Sequence, residues 1–150
     1  MEEFESDRGD IVEKSLVEGL SYILTVGTEK KYYKKVIGIL DTHPIVYGAI
    51  GLHPHNSREY GKALKETISA YLTHKKMVGY GEIGLDFFRN YSPRDAQIQA
   101  FKEQIEIAKN EKLPIIVHSR NAKEETLNIL KAAYNNNAEG VIHCYSYDLD

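Results

Sequence analysis

Helix-like and strand-like segments alternate along the whole chain, and this alternation limits the fold more than any other feature of the sequence. Segments with apolar residues at helical spacing are separated by short runs rich in Val, Ile and Leu, with no low-complexity stretch and no linker rich in Ser, Pro or Gly. Such alternation with short connections requires right-handed crossovers and a parallel sheet covered by helices. We therefore predict a single α/β domain over residues 1–150.

The individual elements follow from the same patterns. Strands are predicted at residues 20–26, 45–50, 77–82, 113–118 and 140–144, and helices at about residues 7–18, 29–41, 58–72, from 93 onward and around 127–134. The apolar run at 20–26 is typical of a strand buried on both faces. The fourth helix begins with a variant of the capping box, in which Ser92 is the expected N-cap, Pro93 the first helical residue and Asp95 the partner.

Two architectures provide a parallel sheet of this kind: an open doubly wound sheet, and part of a (β/α)₈ barrel. A barrel of about 250 residues uses roughly 31 residues for each of its units, so the 150 residues correspond to about five units. The chain begins with a helix pattern and ends with a strand pattern. We predict an incomplete parallel (β/α) barrel of TIM type, with about five strands and five helices and with its first and last strands missing. Its open sheet edges would favour self-association or a complementing chain.

Composition and charge indicate the cellular compartment and the kinds of partner to expect. No apolar run reaches the roughly 18 residues of a membrane span and no signal-peptide pattern is present, so we expect a cytoplasmic chain without a membrane. The single cysteine, Cys144, cannot form an intramolecular disulfide, and the alternation of its strand predicts a packing role. The net charge of −3 predicts no global attraction to nucleic acid, although bound cations can supply positive charge locally.

Polar residues gather where the predicted strands end, at the edge where parallel folds collect their functional groups. Glu82, His118 and His143 each follow a different strand, whereas the strand that ends at Gly27 offers only a small turn. A solitary histidine in such a place often bonds only to backbone or water. A carboxylate and two imidazoles at one mouth are, in contrast, a donor set for a divalent cation with open positions for water and substrate. The Glu82 carboxylate lies within an apolar strand, where an unpaired charge would be costly to bury. It therefore requires a metal or a cationic partner.

Four blocks at successive strand ends together resemble a known family, the TatD-related metal-dependent deoxyribonucleases, a branch of the amidohydrolase-like barrels. The blocks are Gly-Leu-His-Pro-His at 51–55, Gly-Glu-Ile-Gly-Leu-Asp at 81–86, Pro-Ile-Ile-Val-His-Ser-Arg at 114–120 and Ile-His-Cys-Tyr-Ser at 142–146. The resemblance implies a barrel mouth with two divalent ions. It does not distinguish among Mg²⁺, Mn²⁺ and Zn²⁺. These ions would activate water for exonuclease-like cleavage of DNA phosphodiesters.

The resemblance also implies roles for individual residues. Glu82 would bridge both ions, and His118 and His143 would bind one of them. His53 and His55 would face the substrate phosphate. Asp86 would orient a ligand or the loop, and Arg120 would offer a forked donor to phosphate. The simpler alternatives are an exposed His55, an Asp86 that only caps its loop, and an Arg120 that pairs with a surface carboxylate.

This sequence departs from the family pattern in its metal ligands. The Asp-x-His-x-His segment of the first strand and the aspartate of a later strand, which the family uses as ligands, are absent. One weakly held ion is therefore expected from the residues present. Two other functions stay open: a catalytically impaired fragment or interaction module of a split gene, and a metal-dependent hydrolase of another ester or an amide.

Overall fold

A computed structural model of the chain describes residue 4, residues 6–135 and residues 137–148. Within these residues, the strands are β1 Ile23–Gly27, β2 Val46–Ile50, β3 Met77–Asp86, β4 Ile115–Arg120 and β5 Gly140–Ile142. The helices are α1 Arg8–Val17, α2 Lys30–Thr42, α3 Lys62–Leu72, α4 Arg94–Glu111 and α5 Lys123–Tyr134. A 3₁₀ helix at Pro54–Glu59 precedes α3 and overlaps only the first two residues of the segment predicted as the third helix. None of the described helices is both long and apolar enough to cross a bilayer.

The five strands form one parallel sheet in the order β1-β2-β3-β4-β5. A doubly wound sheet reverses its strand order at a switch point, whereas a barrel adds each new strand beside the previous one. The sequential order therefore selects the barrel architecture, and the prediction of an incomplete parallel (β/α) barrel is confirmed. All five strands point the same way, so their C-terminal ends meet at one edge of the sheet.

Helices α2 and α4 cover the central strands and close the core. Val36 and Leu40 of α2 and Phe101 and Ile105 of α4 are completely buried, as is Ile83 of β3. The two residues of each helix are four residues apart, which places them on one face of that helix. Helix α4 packs against both β3 and the 3₁₀ helix, so it lies directly beneath two of the strand ends that carry polar residues.

The first strand differs from its prediction. It begins at Ile23 rather than at residue 20, and Leu24 is 48% exposed. The expectation of burial on both faces is wrong because β1 is an edge strand of the described sheet, with β2 as its neighbour. The opposite edge strand, β5, leaves Val141 56% exposed. Apolar residues on both edges are consistent with the predicted self-association or complementing chain, which stays a prediction.

Two local predictions near the sheet edge are also wrong. Helix α4 begins at Arg94 with Pro93 as its N-cap, and no side chain caps it. The Ser92 hydroxyl instead donates to the carbonyl of His55, 2.7 Å away. Strand β5 ends at Ile142, and Cys144 has a left-handed backbone with φ of 48° and an exposed thiol. Its predicted packing role assumed strand alternation, which stops two residues earlier.

Gly84 permits the closest approach of β3 and β4. It pairs with His118 in the sheet and has a φ of +140°, and a Cβ at this position would overlap the carbonyl oxygen of His118. We expect Gly84→Ala to lower the free energy of unfolding by about 3 kcal/mol, because overpacking and backbone strain add. Urea unfolding followed by circular dichroism would measure this loss.

Gly38→Ala is the matched control. Gly38 lies within α2, and an added methyl would meet none of the described atoms within 4 Å. This variant should be more stable by about 0.5–1 kcal/mol, since alanine favours the helix. An unfolding midpoint for Gly84→Ala equal to that of the parent chain would show that β3 and β4 are not packed this closely.

Candidate functional site

Glu82 lies at an irregularity in β3, and this irregularity directs its side chain toward the C-terminal edge of the sheet. The pairing between β3 and β4 shifts register between Gly81 and Ile83, so Glu82 has no direct partner in the ladder. Bulges of this kind often re-aim a side chain beside a functional site. The carboxylate is mostly buried, with 12% of the side chain exposed, among groups from three other strand ends.

The three residues that the sequence singled out are in contact. The Oε1 atom of Glu82 lies 3.2 Å from Nδ1 of His118 and 3.1 Å from Nδ1 of His143. His118 is mostly buried within β4, whereas the His143 side chain, just after β5, is 57% exposed. The structure thus gathers a carboxylate and two imidazoles from neighbouring strands around one oxygen atom.

Asp86, at the end of β3, has two sets of partners. Its Oδ2 atom lies 2.7 Å from Nε2 of His55 and 3.2 Å from Nε2 of His118. Its Oδ1 atom accepts hydrogen bonds from the backbone N–H groups of Phe88 and Arg89, at 3.1 and 2.8 Å. The geometry therefore unites the two roles considered for Asp86, because the same buried carboxylate contacts two histidines and caps the loop.

His118 is held between the two carboxylates in a manner that suits a metal ligand. Its Nδ1 faces Glu82 and its Nε2 faces Asp86. A metal-bound imidazole commonly donates its second N–H to a carboxylate, which fixes the ring orientation. In that state Nδ1 would bind the cation and Nε2–H would donate to Asp86. A cation beside Glu82 would thus take the place of the Nδ1 proton of His118.

The pKa values are consistent with a site for a cation. Burial acts to raise the pKa of Glu82, but hydrogen bonds from His118 and His143 lower it to about 2. Burial likewise acts against ionisation of Asp86, and the Arg89 N–H with His55 and His118 lowers its pKa to about 2. Burial acts to lower the pKa of His118, but Glu82 and Asp86 outweigh it and raise that pKa. Both carboxylates are therefore anionic at neutral pH, facing a ring that carries positive charge easily.

His53 completes a compact group of donors. One ligand atom each from His53, Glu82 and His118 lie within 4.8 Å of one another, in the described part of the chain. Burial and the neighbouring His118 and His55 lower the pKa of His53 to about 4, so its ring is neutral at pH 7. Its Nδ1 accepts a hydrogen bond from the His55 N–H at 3.2 Å. A neutral ring that accepts at Nδ1 carries its proton on Nε2, so the Nε2–H group is the donor of this ring.

Arg120, the last residue of β4, is exposed and stacks on an aromatic ring. Its guanidinium carbon lies 4.1 Å from the centre of the Phe88 ring. Stacking of this kind holds a guanidinium flat while its N–H groups remain directed outward in the plane, where they can bind a phosphate. The alternative role of Arg120, a surface ion pair, is not seen among the described residues.

A cleft of about 340 Å³ opens beside these groups. Its lining includes residues that the sequence had assigned and others that it had not: Thr28, Glu29, His53, His55, Asn56 and Glu82. Thr28 and Glu29 directly follow β1, the strand end that was interpreted as only a small turn. Their position after a strand was the available signal, since each of the other blocks is recognised in the same way. Asn56 follows the His55 block within the 3₁₀ helix.

Comparison with known proteins gives the class to which this fold and site belong. The family model described as "TatD related DNase" matches residues 1–150. The chain belongs to this family, and the resemblance inferred from its four blocks is confirmed.

Individual relatives support the same family. The chain is 31% identical to "Uncharacterized metal-dependent hydrolase YabD" of Bacillus subtilis, an alignment that covers 97% of this chain and 57% of that protein. It is 34% identical to "3'-5' ssDNA/RNA exonuclease TatD" of Rahnella, covering 96% of this chain and 55% of that protein. The chain thus spans about half the length of the curated relatives it matches.

A solved structure agrees with the fold. The crystal structure of YJJV, a TatD homolog from Escherichia coli K12, superposes with a TM-score of 0.87 at 28% identity, covering 97% of this chain and 57% of that one. The superposition thus covers nearly the whole of this chain and a little over half of that one.

Proposed function

We propose that this chain carries part of the active site of a metal-dependent phosphodiesterase that cleaves DNA from its ends. One observation carries the proposal: a buried carboxylate, Glu82, touches His118 and His143 at the C-terminal ends of parallel strands, beside an open cleft. Donors of this kind favour borderline divalent cations such as Zn²⁺ or Mn²⁺ and also accept Mg²⁺ through the carboxylate. Family membership supports a hydrolase, and DNA as the substrate is our inference.

Glu82, His118 and His143 would hold the ion. When bound, the ion would lower the pKa of a water molecule and polarise the phosphate. The described residues contain one compact group of possible ligand atoms, from His53, Glu82 and His118, and His143 contacts the same Glu82 oxygen as His118. We therefore propose one ion, centred on Glu82 and bound by this chain's own side chains. Asp86 would fix the orientation of His118 through its contact with Nε2, and it would keep His55 in place at the same time.

The substrate phosphate would be bound by groups around the ion site. His53, with its proton on Nε2, would donate to a phosphate oxygen, and His55 would stand beside it, with the two ring centres 4.3 Å apart. Arg120, whose guanidinium lies over the Phe88 ring, would supply a forked pair of donors. Hydrogen-bond donors of this kind, together with the ion, favour an anionic substrate over an uncharged ester or amide.

The test is metal-dependent turnover on three kinds of substrate. The chain would be stripped of metal and then assayed with Mg²⁺, Mn²⁺ or Zn²⁺ on end-labelled DNA oligonucleotides, on thymidine p-nitrophenyl phosphate, and on an uncharged ester and amide. We expect hydrolysis of the phosphodiesters only after metal is added. Cleavage of only the uncharged substrates would show that the site belongs to another hydrolase. A folded chain that binds metal without any turnover would reject the proposal in favour of a non-catalytic module.

A further inference from the structure

Two buried glutamines of α4 lie beneath the site, and each binds the backbone of one residue at a strand end. Gln97 is 0% exposed and Gln104 is 1% exposed. They are seven residues apart, which is about two helical turns, so they lie on the same face of α4 about 10 Å from each other. Buried amides are costly unless they are fully hydrogen-bonded, so their presence under this edge of the sheet requires an explanation.

Gln97 binds Asp86 through both of its amide atoms. Its Oε1 accepts from the Asp86 N–H at 2.8 Å, and its Nε2 donates to the Asp86 carbonyl at 3.1 Å. The same Nε2 donates to the carbonyl of Ser92 at 2.8 Å. The Ser92 hydroxyl in turn donates to the carbonyl of His55. Gln97 therefore joins the loop that follows β3 to the backbone of both Asp86 and His55.

Gln104 repeats the arrangement at the end of β2. Its Oε1 accepts from the Leu52 N–H at 2.7 Å, and its Nε2 donates to the Leu52 carbonyl at 3.1 Å. The completely buried hydroxyl of Tyr33 donates to the preceding carbonyl, that of Gly51, at 2.9 Å. Leu52 is the residue immediately before His53, so this pair of bonds fixes the backbone from which the His53 ring projects.

A side-chain amide that bonds to both the N–H and the C=O of one residue makes the two hydrogen bonds that the backbone of a neighbouring strand would otherwise make. Strand ends beyond the sheet ladder have such unpaired backbone groups, and an apolar side chain in either position would leave them buried without partners. Because both amides are on one rigid helix, the distance between the two strand ends is set by the helix itself. Glu103 and Gln99 of the same helix point outward, where Gln99 donates to Glu103.

We infer that Gln97 and Gln104 are positioning residues, which set the placement of Asp86 with His55 and of His53 for phosphodiester hydrolysis. The inference rests on the proposed function for its kinetic readout, but the placement of the histidines can be measured without turnover. The reaction would then depend on two residues that touch neither the ion nor the substrate.

The experiment compares Gln97→Met and Gln104→Met with Gln99→Met on the exposed face of α4. Methionine approximates the length of glutamine but cannot form either hydrogen bond. For Gln97→Met and Gln104→Met we expect kcat on thymidine p-nitrophenyl phosphate to fall about 10-fold, as for other groups that orient active-site residues. KM should change less than kcat, and Gln99→Met should match the parent chain in both.

A second readout separates positioning from folding. In spectra of the ¹⁵N-labelled imidazoles, Gln97→Met should shift the signals of His55 and His118, and Gln104→Met those of His53. His43, the C-cap residue of α2, should be unchanged in both. If Gln104→Met does not fold, Gln104→Glu, which keeps the size and an acceptor for the Leu52 N–H, should show a smaller shift and a loss of about 5-fold.

The outcomes distinguish the two proposals. If the parent chain hydrolyses no phosphodiester but the histidine signals move as expected, the proposed function fails and the positioning role is upheld. If the variants fold with parental histidine signals and with kcat within about twofold of the parent, the glutamines only stabilise the fold and the inference is overturned.

Discussion

Replacing Glu82 with glutamine should reduce metal-dependent phosphodiester hydrolysis by about 1000-fold, the order of loss when a group that stabilises charge at a reacting centre is removed. The amide has the same shape but no negative charge, so it would bind a divalent cation weakly. It still offers one acceptor to His118 or His143, and we expect the free energy of unfolding to fall by only about 1 kcal/mol. Steady-state rates at saturating Mn²⁺, with Mn²⁺ affinity from calorimetry, would measure both losses.

Glu66→Gln is the control for the charge change. Glu66 is on the outer face of α3, its side chain is 68% exposed, and Lys62 lies 4.0 Å from its carboxylate. This variant should keep parental activity and metal affinity. Full activity in Glu82→Gln, in contrast, would remove Glu82 from the site and leave the cluster around His53 and His118 without its proposed centre.

Asp86→Asn should reduce turnover by about 100-fold, at the upper end of the losses seen when the partner of a ligating histidine is changed. The asparagine oxygen can still accept from the N–H groups of Phe88 and Arg89, so the loop should keep its cap. Its NH₂ group, however, would face Nε2 of His55 and His118 and could not accept a proton from either ring. The loss should therefore appear in kcat and in metal affinity.

Two further variants separate the two roles of Asp86. Asp86→Ala removes the loop cap as well, and we expect an additional loss of about 2–3 kcal/mol in the free energy of unfolding, because hydrogen bonds to a charged group are lost. Asp41→Asn changes another aspartate that contacts a histidine, His74, at 3.1 Å, but on the surface away from the site. It should behave as the parent chain. Equal turnover in Asp86→Asn and Asp41→Asn would contradict the proposed role of Asp86.

Much of the fold and the centre of the site could be predicted from the sequence, because both depend on local signals. Strand runs and helix spacing are visible in short windows, and parallel strands bring their C-terminal ends together whatever the details of packing. Glu82, His118 and His143 were recognisable for this reason. The family blocks then placed His53, His55, Asp86 and Arg120 nearby. In the structure His53 and His55 line the cleft, Asp86 contacts His55 and His118, and Arg120 lies over Phe88, although their roles stay predictions.

The remaining features depend on partners that are distant in the sequence. Ser92 fits the N-cap rule within four residues, but its hydroxyl binds a carbonyl 37 residues away. Gln97 and Gln104 look like ordinary polar residues of an exposed helix face, and only the packed structure shows that unpaired backbone groups require them there. Strand β1 was expected to be buried because its composition is apolar, but burial depends on a neighbouring strand that composition cannot supply.

The strand order β1-β2-β3-β4-β5 also bears on how the chain acquires its structure. Each strand pairs with the one that precedes it in the sequence, so each pairing closes a loop of only one helical unit and has a similar, modest entropic cost. Folds with such local pairing assemble faster than those that require distant segments to meet first. During synthesis on the ribosome, the sheet can therefore grow one strand at a time. The imidazoles of His118 and His143 would join Glu82 only as β4 and β5 emerge.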